Sequence, residues 1–230
     1  MAFQIAIDGP VAAGKGTVAR LVAERLGFLY VDTGAMYRAT AYLAMQKDID
    51  IHDEAGIVAA LKSAVISLRN PKDEEKDGRL TTVLLDGEDI SWKIRTTEVS
   101  AGSSVVAGQP KVRLALVAQQ QAIAAADNVV MEGRDIAIRV LPKAQLKLYL
   151  TANEVVRAKR RHLELQTRGQ DIPFAQVLDD LMKRDYADSH REVDPLQVTD
   201  EHLVIDTSDL AVEKIVDLIE AKAKLLMEVS

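Results

Sequence analysis

Cysteine is absent from the 230-residue chain. That excludes disulfides and thiolate zinc sites, and it fits a reducing, cytoplasmic setting. Basic residues are not in excess either: 29 Lys+Arg stand against 35 Asp+Glu, a formal charge of −6. A protein that coats nucleic acid needs a basic surface, so nucleic acid is not an expected partner. Any basic patch has to be local, and local basic patches suit small phosphorylated ligands. No apolar run approaches the ~18 residues that span a bilayer. The start, Met1-Ala2-Phe3-Gln4-Ile5-Ala6-Ile7-Asp8, lacks the basic region of a signal peptide. No membrane partner is expected. What is present is 48% apolar and 28% charged residues, enough for a full core beneath a solvated surface.

The apolar pattern orders the chain. Phe3 to Ile7 reads as a buried strand ending in the turn Asp8-Gly9-Pro10. Val18, Leu21, Val22 and Leu26 have helical spacing, with Gly27 where a helix-ending glycine belongs. Phe28 to Val31 is a second strand, and Asp32-Thr33-Gly34 turns the chain into a helix through Ala44. This alternation favours a parallel sheet covered by helices. The polar turn from Asn70 through Lys76 to Gly78, then Leu80 to Leu85 and Asp86-Gly87, signals a hairpin and hence a small inserted antiparallel sheet. Lys111 to Ala126 returns to helix, followed by strands at 129–131, 146–150 and 202–205. The last helix carries Val212, Ile215, Val216, Ile219, Ala223 and Leu226 on one stripe, with Thr207-Ser208-Asp209 as its expected cap.

The most informative segment is Gly9-Pro10-Val11-Ala12-Ala13-Gly14-Lys15-Gly16-Thr17, set between the first strand and the first helix. Small residues let the backbone wrap an anion with its N–H groups and the helix N-terminus. Lys15 then reaches the β- and γ-phosphates of a nucleotide, and the Thr17 hydroxyl orients Mg²⁺. The strict phosphate-loop pattern has its hydroxyl directly after the lysine, whereas here Gly16 intervenes. An alanine at position 12 does not take positive φ cheaply, which bears on the loop's fine geometry.

Arginines recur where a phosphoryl-transfer site needs them. Arg38 lies one helical turn after Gly34, and Arg134 follows the strand at 129–131, at the end where open α/β sheets place ligands. Arg184, Asp188 and Arg191 fall at i, i+4 and i+7, one face of a helix. On spacing alone that set reads equally as a solvated ion-pair face. Arg157, Lys159, Arg160, Arg161 and Arg168 form the densest basic stretch, before a break at Gln166-Thr167-Arg168-Gly169-Gln170. That stretch reads as a solvated helix, a nucleic-acid patch or a lid closing over phosphates; the acidic balance weakens the second, and the break suits the third. Trp92 and the four histidines show no usable spacing and are taken as structural.

The order Gly-Lys-Gly-Thr, Asp32-Thr33-Gly34-Ala35-Met36-Tyr37-Arg38, Ile94-Arg95-Thr96 with Glu98-Val99, Glu132-Gly133-Arg134-Asp135, and Lys183-Arg184-Asp185 with Asp188 and Arg191 resembles the bacterial cytidylate kinases. These belong to the P-loop nucleoside monophosphate kinases, and the resemblance covers nearly the whole chain. It implies a single three-layer α/β/α P-loop kinase domain with a parallel central sheet. A monophosphate-binding region at about 36–110 and a lid at about 153–172 would decorate it. It further implies γ-phosphoryl transfer from ATP to CMP or dCMP with Mg²⁺, in a cytoplasmic monomer. By resemblance, Lys15, Arg134, Arg191 and Arg38 are catalytic. ATP is held by residues 9–17, namely Gly9, Pro10, Val11, Ala12, Ala13, Gly14, Lys15, Gly16 and Thr17, with Arg157 and Arg161. Asp135 and Arg113 would read cytosine with Thr33 in support, Ser104, Arg184 and Asp188 contact the sugar, and Arg38, Arg134 and Arg191 grip the acceptor phosphate. Two alternatives stay open: a kinase preferring UMP or AMP, and a nucleotide-binding regulator with a P-loop but little turnover.

Overall fold

The computed structural model describes residues 2–75, 77–167 and 169–229. Met1, Lys76 and Arg168, all named in the expectations above, lie outside them. The elements in chain order are β1 (Gln4–Asp8), α1 (Lys15–Leu26), β2 (Leu29–Asp32), α2 (Thr33–Gln46), α3 (Glu54–Lys62), β3 (Ile66–Arg69), β4 (Thr82–Leu85) and β5 (Glu88–Asp89). There follow α4 (Thr97–Ala107), α5 (Pro110–Ala126), β6 (Val129–Gly133), β7 (Leu146–Thr151), α6 (Glu154–Thr167), α7 (Phe174–His190), β8 (Leu203–Asp206) and α8 (Val212–Val229).

Five strands form a parallel sheet in the order β2-β6-β1-β7-β8. Parallel strands are buried on both faces, which is why β1, β6 and β7 read as near-continuous apolar runs. Ile5 and Ile7 of β1 face α1 and the apolar stripe of α8. Ala6, with Val31, Val129 and Met131, faces α5 and a tight π-helical turn at Ile136–Val140. The sheet is therefore the middle of three layers. The expected stripe of α8 is the buried one: Ile215, Val216, Ile219 and Ala223 are buried, and Val212 and Leu226 pack at its margin.

The insert carries its own core. The three-stranded sheet β3-β4-β5 is antiparallel and packs with α2, α3, α4 and the start of α5. Its hairpin is closed by Asp86 at φ 51° and Gly87 at φ 86°, the left-handed pair that a two-residue turn demands. The Asn70 side chain accepts from Tyr30 N and donates to Phe28 O, tying the insert to the edge strand β2.

Three local expectations are corrected. Asp32-Thr33-Gly34 is not a free turn: α2 begins at Thr33, and Asp32 caps it by accepting from Ala35 N at 2.9 Å. Thr207-Ser208-Asp209 does not cap α8, which starts at Val212; Thr207 donates to Ala13 O of the loop after β1, and Ser208 accepts from Asn153 N. These hydroxyls are engaged by tertiary partners before the helix begins. Arg191 lies just past α7 in extended backbone, so only Arg184 and Asp188 share its helical face.

The loop between β1 and α1 shows where chain geometry is forced. Gly9 sits at φ 149°, and a Cβ there would fall 2.0 Å from Leu150 O. Ala12 takes a left-handed φ of 57°, the strain that its residue type foretells. Ala12→Gly should relieve it, with part of the gain offset by the greater freedom of glycine in the unfolded chain. The expected net gain is about 0.5 kcal/mol, or about 1–2 °C in Tm by calorimetry. An unchanged or lower Tm would show that the site accommodates alanine without cost.

Candidate active site

Capping dictates the loop's chemistry. The residue before α1 is Gly14, left-handed at φ 89°, and no side chain caps the helix. The first amides of α1 are thereby left for an anion. The loop's carbonyls are engaged elsewhere: Pro10 O accepts from Lys15 Nζ at 2.8 Å, Val11 O from Arg157 at 3.2 Å and Ala13 O from Thr207 Oγ1 at 3.1 Å.

The loop forms one wall of a cavity of about 800 Å³ at the carboxyl ends of the strands. Among the described residues, seven arginines and two lysines line it against five carboxylates. A protein of net charge −6 thus concentrates positive potential in one cleft, where low-dielectric walls focus it. Burial and then Arg134 lower the Lys15 pKa to about 7, against the opposing pull of Glu132, Asp188 and Asp8.

The guanidinium groups are held by carboxylates. Arg38 pairs with Asp32 at 2.7 Å and Arg134 with Asp188 at 2.6 Å. Burial alone would raise the Asp32 carboxyl, but Arg38 and Arg95 keep it below its usual range. Asp135 accepts from Arg113 at 2.5 Å and from Arg191 at 3.1 Å. Arg113 is fixed further by Asp194 at 3.2 Å, and its guanidinium lies over the Tyr37 ring at 5.8 Å. Burial pushes the Asp135 carboxyl up, with Arg113 and Arg191 pulling it back. Arg184 differs: among the described residues it has no hydrogen-bond or ion-pair partner. Its side chain opens to cavity water, yet crowding by the walls, then by Arg134, brings its pKa down to about 10. Arg134 and Arg184 thus place two adjacent cations on the cavity, with Asp188 drawing on both.

Most residues singled out in the sequence meet here. Val11, Ala12, Gly14, Lys15, Gly16, Thr17, Thr33, Arg38, Ser104, Arg113, Arg134, Asp135, Arg161, Arg184, Asp188 and Arg191 all line the one cavity. Thr33 donates to Glu132 O at 2.8 Å. Gly9, Pro10 and Ala13 are buried beneath the loop and shape it from behind. Arg157 is buried as well: it donates to Ala152 O, Val11 O and, at 2.5 Å, Asp185, so it braces the loop from the far side. Arg161 faces the cavity, paired with Glu164. Of the rest of the basic stretch, Arg160 is tied to Thr207, and α6 ends at Thr167 before Gly169 at φ 74°.

Sequence reasoning assigned no role to Glu132, Tyr37, Arg95 or Asp32, which also line the cavity. Each stands inside a quoted motif, and that was the only available signal. Glu132 is half-buried, accepts from Tyr30 Oη at 3.0 Å, and its carboxyl is pushed up by desolvation and by Asp32. A Cβ on Gly16 would lie 3.1 Å from its Oε1, so this carboxylate reaches the loop beside Thr17. Among the described residues no cluster of three acidic or histidine groups forms a self-sufficient metal cage. The donors present, a hydroxyl and a neighbouring carboxylate, suit Mg²⁺ held chiefly by a ligand's phosphates and water. No helix of the described residues is long and apolar enough to cross a membrane.

Comparison with known proteins agrees with this geometry. The family model described as cytidylate kinase matches residues 5–225. The curated cytidylate kinase of Lactiplantibacillus plantarum is 43% identical over 215 residues, covering 94% of this chain and 92% of that protein. That of Caldicellulosiruptor bescii is 45% identical over 213 residues, covering 93% and 92%. Among solved structures, an uncharacterized protein from Eubacterium ventriosum has a TM-score of 0.54 at 11% identity, covering 96% of this chain and 98% of that one, a likeness of fold alone. With a family match across nearly its whole length, and a phosphate loop facing a cage of arginines, this chain belongs to the cytidylate kinase family and is a kinase.

Proposed function

We propose that the protein transfers the γ-phosphoryl group of ATP to CMP or dCMP, giving ADP and CDP or dCDP. One observation carries this reading: a single cavity holds a phosphate loop with its lysine and, across from it, the Asp135–Arg113 pair. A carboxylate beside a guanidinium complements cytosine, which presents an N4 amino donor next to the N3 and O2 acceptors. A cytoplasmic monomer with no nucleic-acid partner fits the acidic surface and the small substrates.

The chemistry joins two anions, so positioning and charge neutralisation are the main tasks. ATP lies with its β- and γ-phosphates on the free amides of α1 and on Lys15. Thr17 and Glu132 are the residues that would hold Mg²⁺, which would supply positive charge to offset that of the phosphates. Arg38, Arg134 and Arg191 grip the acceptor phosphate, and Arg184 faces the sugar and phosphates. An anionic oxygen of the acceptor attacks the γ-phosphorus as the bond to the β–γ bridging oxygen breaks. That oxygen departs on ADP, and no general base is needed. Residues 36–110 serve as the monophosphate-binding region. Residues 153–172 serve as a lid, with Arg161 reaching the phosphates and Arg157 setting the loop that holds them.

Lys15→Ala removes a cation beside the developing charge and is expected to cost about 3 kcal/mol, lowering kcat more than 100-fold in a folded protein. A coupled assay of ADP release, with and without CMP, measures it. Near-normal kcat would sink the phosphate-loop assignment, and turnover independent of CMP would favour the regulatory alternative.

Lys15 also yields a proton balance. With its pKa at about 7 in the free protein, it is largely neutral at about pH 8. Phosphates raise that pKa, so ATP binding at about pH 8 should take up close to one proton, and at about pH 6 Lys15 contributes none. Calorimetry in buffers of different ionisation enthalpy reads the uptake. Buffer-independent heat at the higher pH would mean that Lys15 is charged before ATP arrives.

Asp135→Ala should lower kcat/KM for CMP far more than for UMP, because only cytosine offers an amino group to the carboxylate. The CMP-to-UMP ratio should narrow by at least about tenfold. Arg113→Ala should weaken both, since both bases present O2. An equal loss for the two substrates in Asp135→Ala would assign that residue to phosphate organisation instead.

A further inference from the structure

Asp8 is fully buried, 1% exposed, at the last position of β1, and beyond its electrostatic pull on Lys15 the reaction as described gives it no task. The register of the sheet places it opposite Gly133, the end of β6. Its carboxylate accepts from two backbone amides across that gap, Ile136 N at 2.8 Å to Oδ1 and Ala137 N at 2.9 Å to Oδ2. These amides open the π-helical turn Ile136–Val140, and the residue that caps this turn is Asp135.

A capping aspartate ordinarily spends its own side chain on the first amides of its helix. Asp135 makes no such bond. Asp8 supplies both acceptors from a strand 128 residues away, which leaves the Asp135 carboxylate free to face Arg113, Arg191 and the cavity.

His202 forms a third side of this arrangement. Its side chain is wholly buried, edge-on to Tyr149, with Nε2 3.5 Å from Asp8 Oδ2. Its Nδ1 receives the Thr199 backbone N–H at 3.0 Å. A backbone N–H only donates, so Nδ1 is the unprotonated nitrogen and Nε2 carries the hydrogen directed at Asp8. The order Thr199, His202, Asp8, then the 136–137 amides, runs from the loop before β8 to the base-reading turn.

We propose that Asp8, seated by His202, is a positioning residue for the acceptor base: it caps the 136–140 turn in place of Asp135 and so presents the Asp135 carboxylate to cytosine. This rests on CMP being the acceptor. In Asp8→Asn one oxygen serves two N–H donors, and the added amide hydrogens face one of them. Asp135 is then drawn back to cap its own turn. His202→Phe keeps a buried ring but removes the donor, and His202→Gln restores one.

The test measures KM and kcat for each substrate. His202→Phe should raise KM for CMP about tenfold and narrow the CMP-to-UMP ratio, with KM for ATP held within about threefold; Asp8→Asn, which also removes a charge felt by Lys15, should narrow the same ratio. His202→Gln should recover most of the loss. Equal increases in KM for ATP and CMP, or no change in the base ratio, would overturn the proposal in favour of a role in bulk packing. Two measurements need no turnover. Nitrogen-15 spectra of the wild-type imidazole should show the Nε2–H form, and amide exchange at Ile136 and Ala137 should quicken in His202→Phe. A His202 protonated at Nδ1, or unaltered exchange in the folded variant, also overturns it. Should either variant fail to fold, the wild-type spectrum still decides the direction of the relay. If the wild-type protein leaves CMP unphosphorylated, the acceptor assignment fails, while the spectra and exchange rates still report on the cap itself.

Discussion

Seven guanidinium groups crowd one cleft only because carboxylates are interleaved among them. Asp32 holds Arg38, Asp188 holds Arg134, and Asp135 stands between Arg113 and Arg191. Without these partners, like charges in a low-dielectric cleft would repel and pull the walls apart. With them, Arg38, Arg113, Arg134 and Arg191 are held in place before any phosphate arrives. Little rotamer freedom is then left to lose on binding, and the charges do not have to be gathered at the moment of reaction. Arg184 differs: among the described residues it has no hydrogen-bond or ion-pair partner, and its nearest charges are Arg134 and Asp188.

The donor side is organised by backbone rather than by side chains. Gly9 lets the loop lie against the β7 main chain, where any Cβ would collide with Leu150 O. Lys15, Arg157 and Thr207 engage three loop carbonyls from three directions. With those acceptors occupied, the amides and the uncapped start of α1 form the anion cradle. Arg157 also joins this loop to α7 through Asp185, and α7 carries Arg184 and Asp188. Together with the Arg134–Asp188 pair, Arg157 ties α7 to the strand ends that carry the loop.

The insert has its own core, built from α2, α3, α4, the start of α5 and the β3-β4-β5 sheet. It meets the main sheet through Asn70 at β2 and through Asp32, which ends β2 and caps α2. Helix α5 runs through both cores, with Val112 and Leu116 on the insert side and Val117 and Ala124 on the sheet side.

Much of this was legible in the chain itself, because it depends on neighbours a few residues apart. Strand, small-residue loop, lysine and helix follow one another in 4–26, and the Asp86-Gly87 hairpin and the α8 stripe are equally local. So is the placement of Arg134 just past a strand end. That alanine resists a positive φ is a matter of residue type, but that the loop holds Ala12 at φ 57° is visible only in the structure. Tertiary structure decided what depends on partners far along the chain. Thr207 and Ser208 look like a helix cap but serve Ala13 and Asn153 instead. Arg157 looks like a phosphate ligand but is buried behind the loop. Arg191 keeps helical spacing from Arg184 yet leaves the helix, its guanidinium held by Asp194 O and Asp135. Asp135 holds the cap position of the 136–140 turn, and only the return of β6 beside β1 supplies Asp8 to take the capping bonds in its place. Periodicity and turn chemistry act over a few residues, whereas a buried charge takes whichever partner the fold delivers, and that partner is not written near it in the sequence.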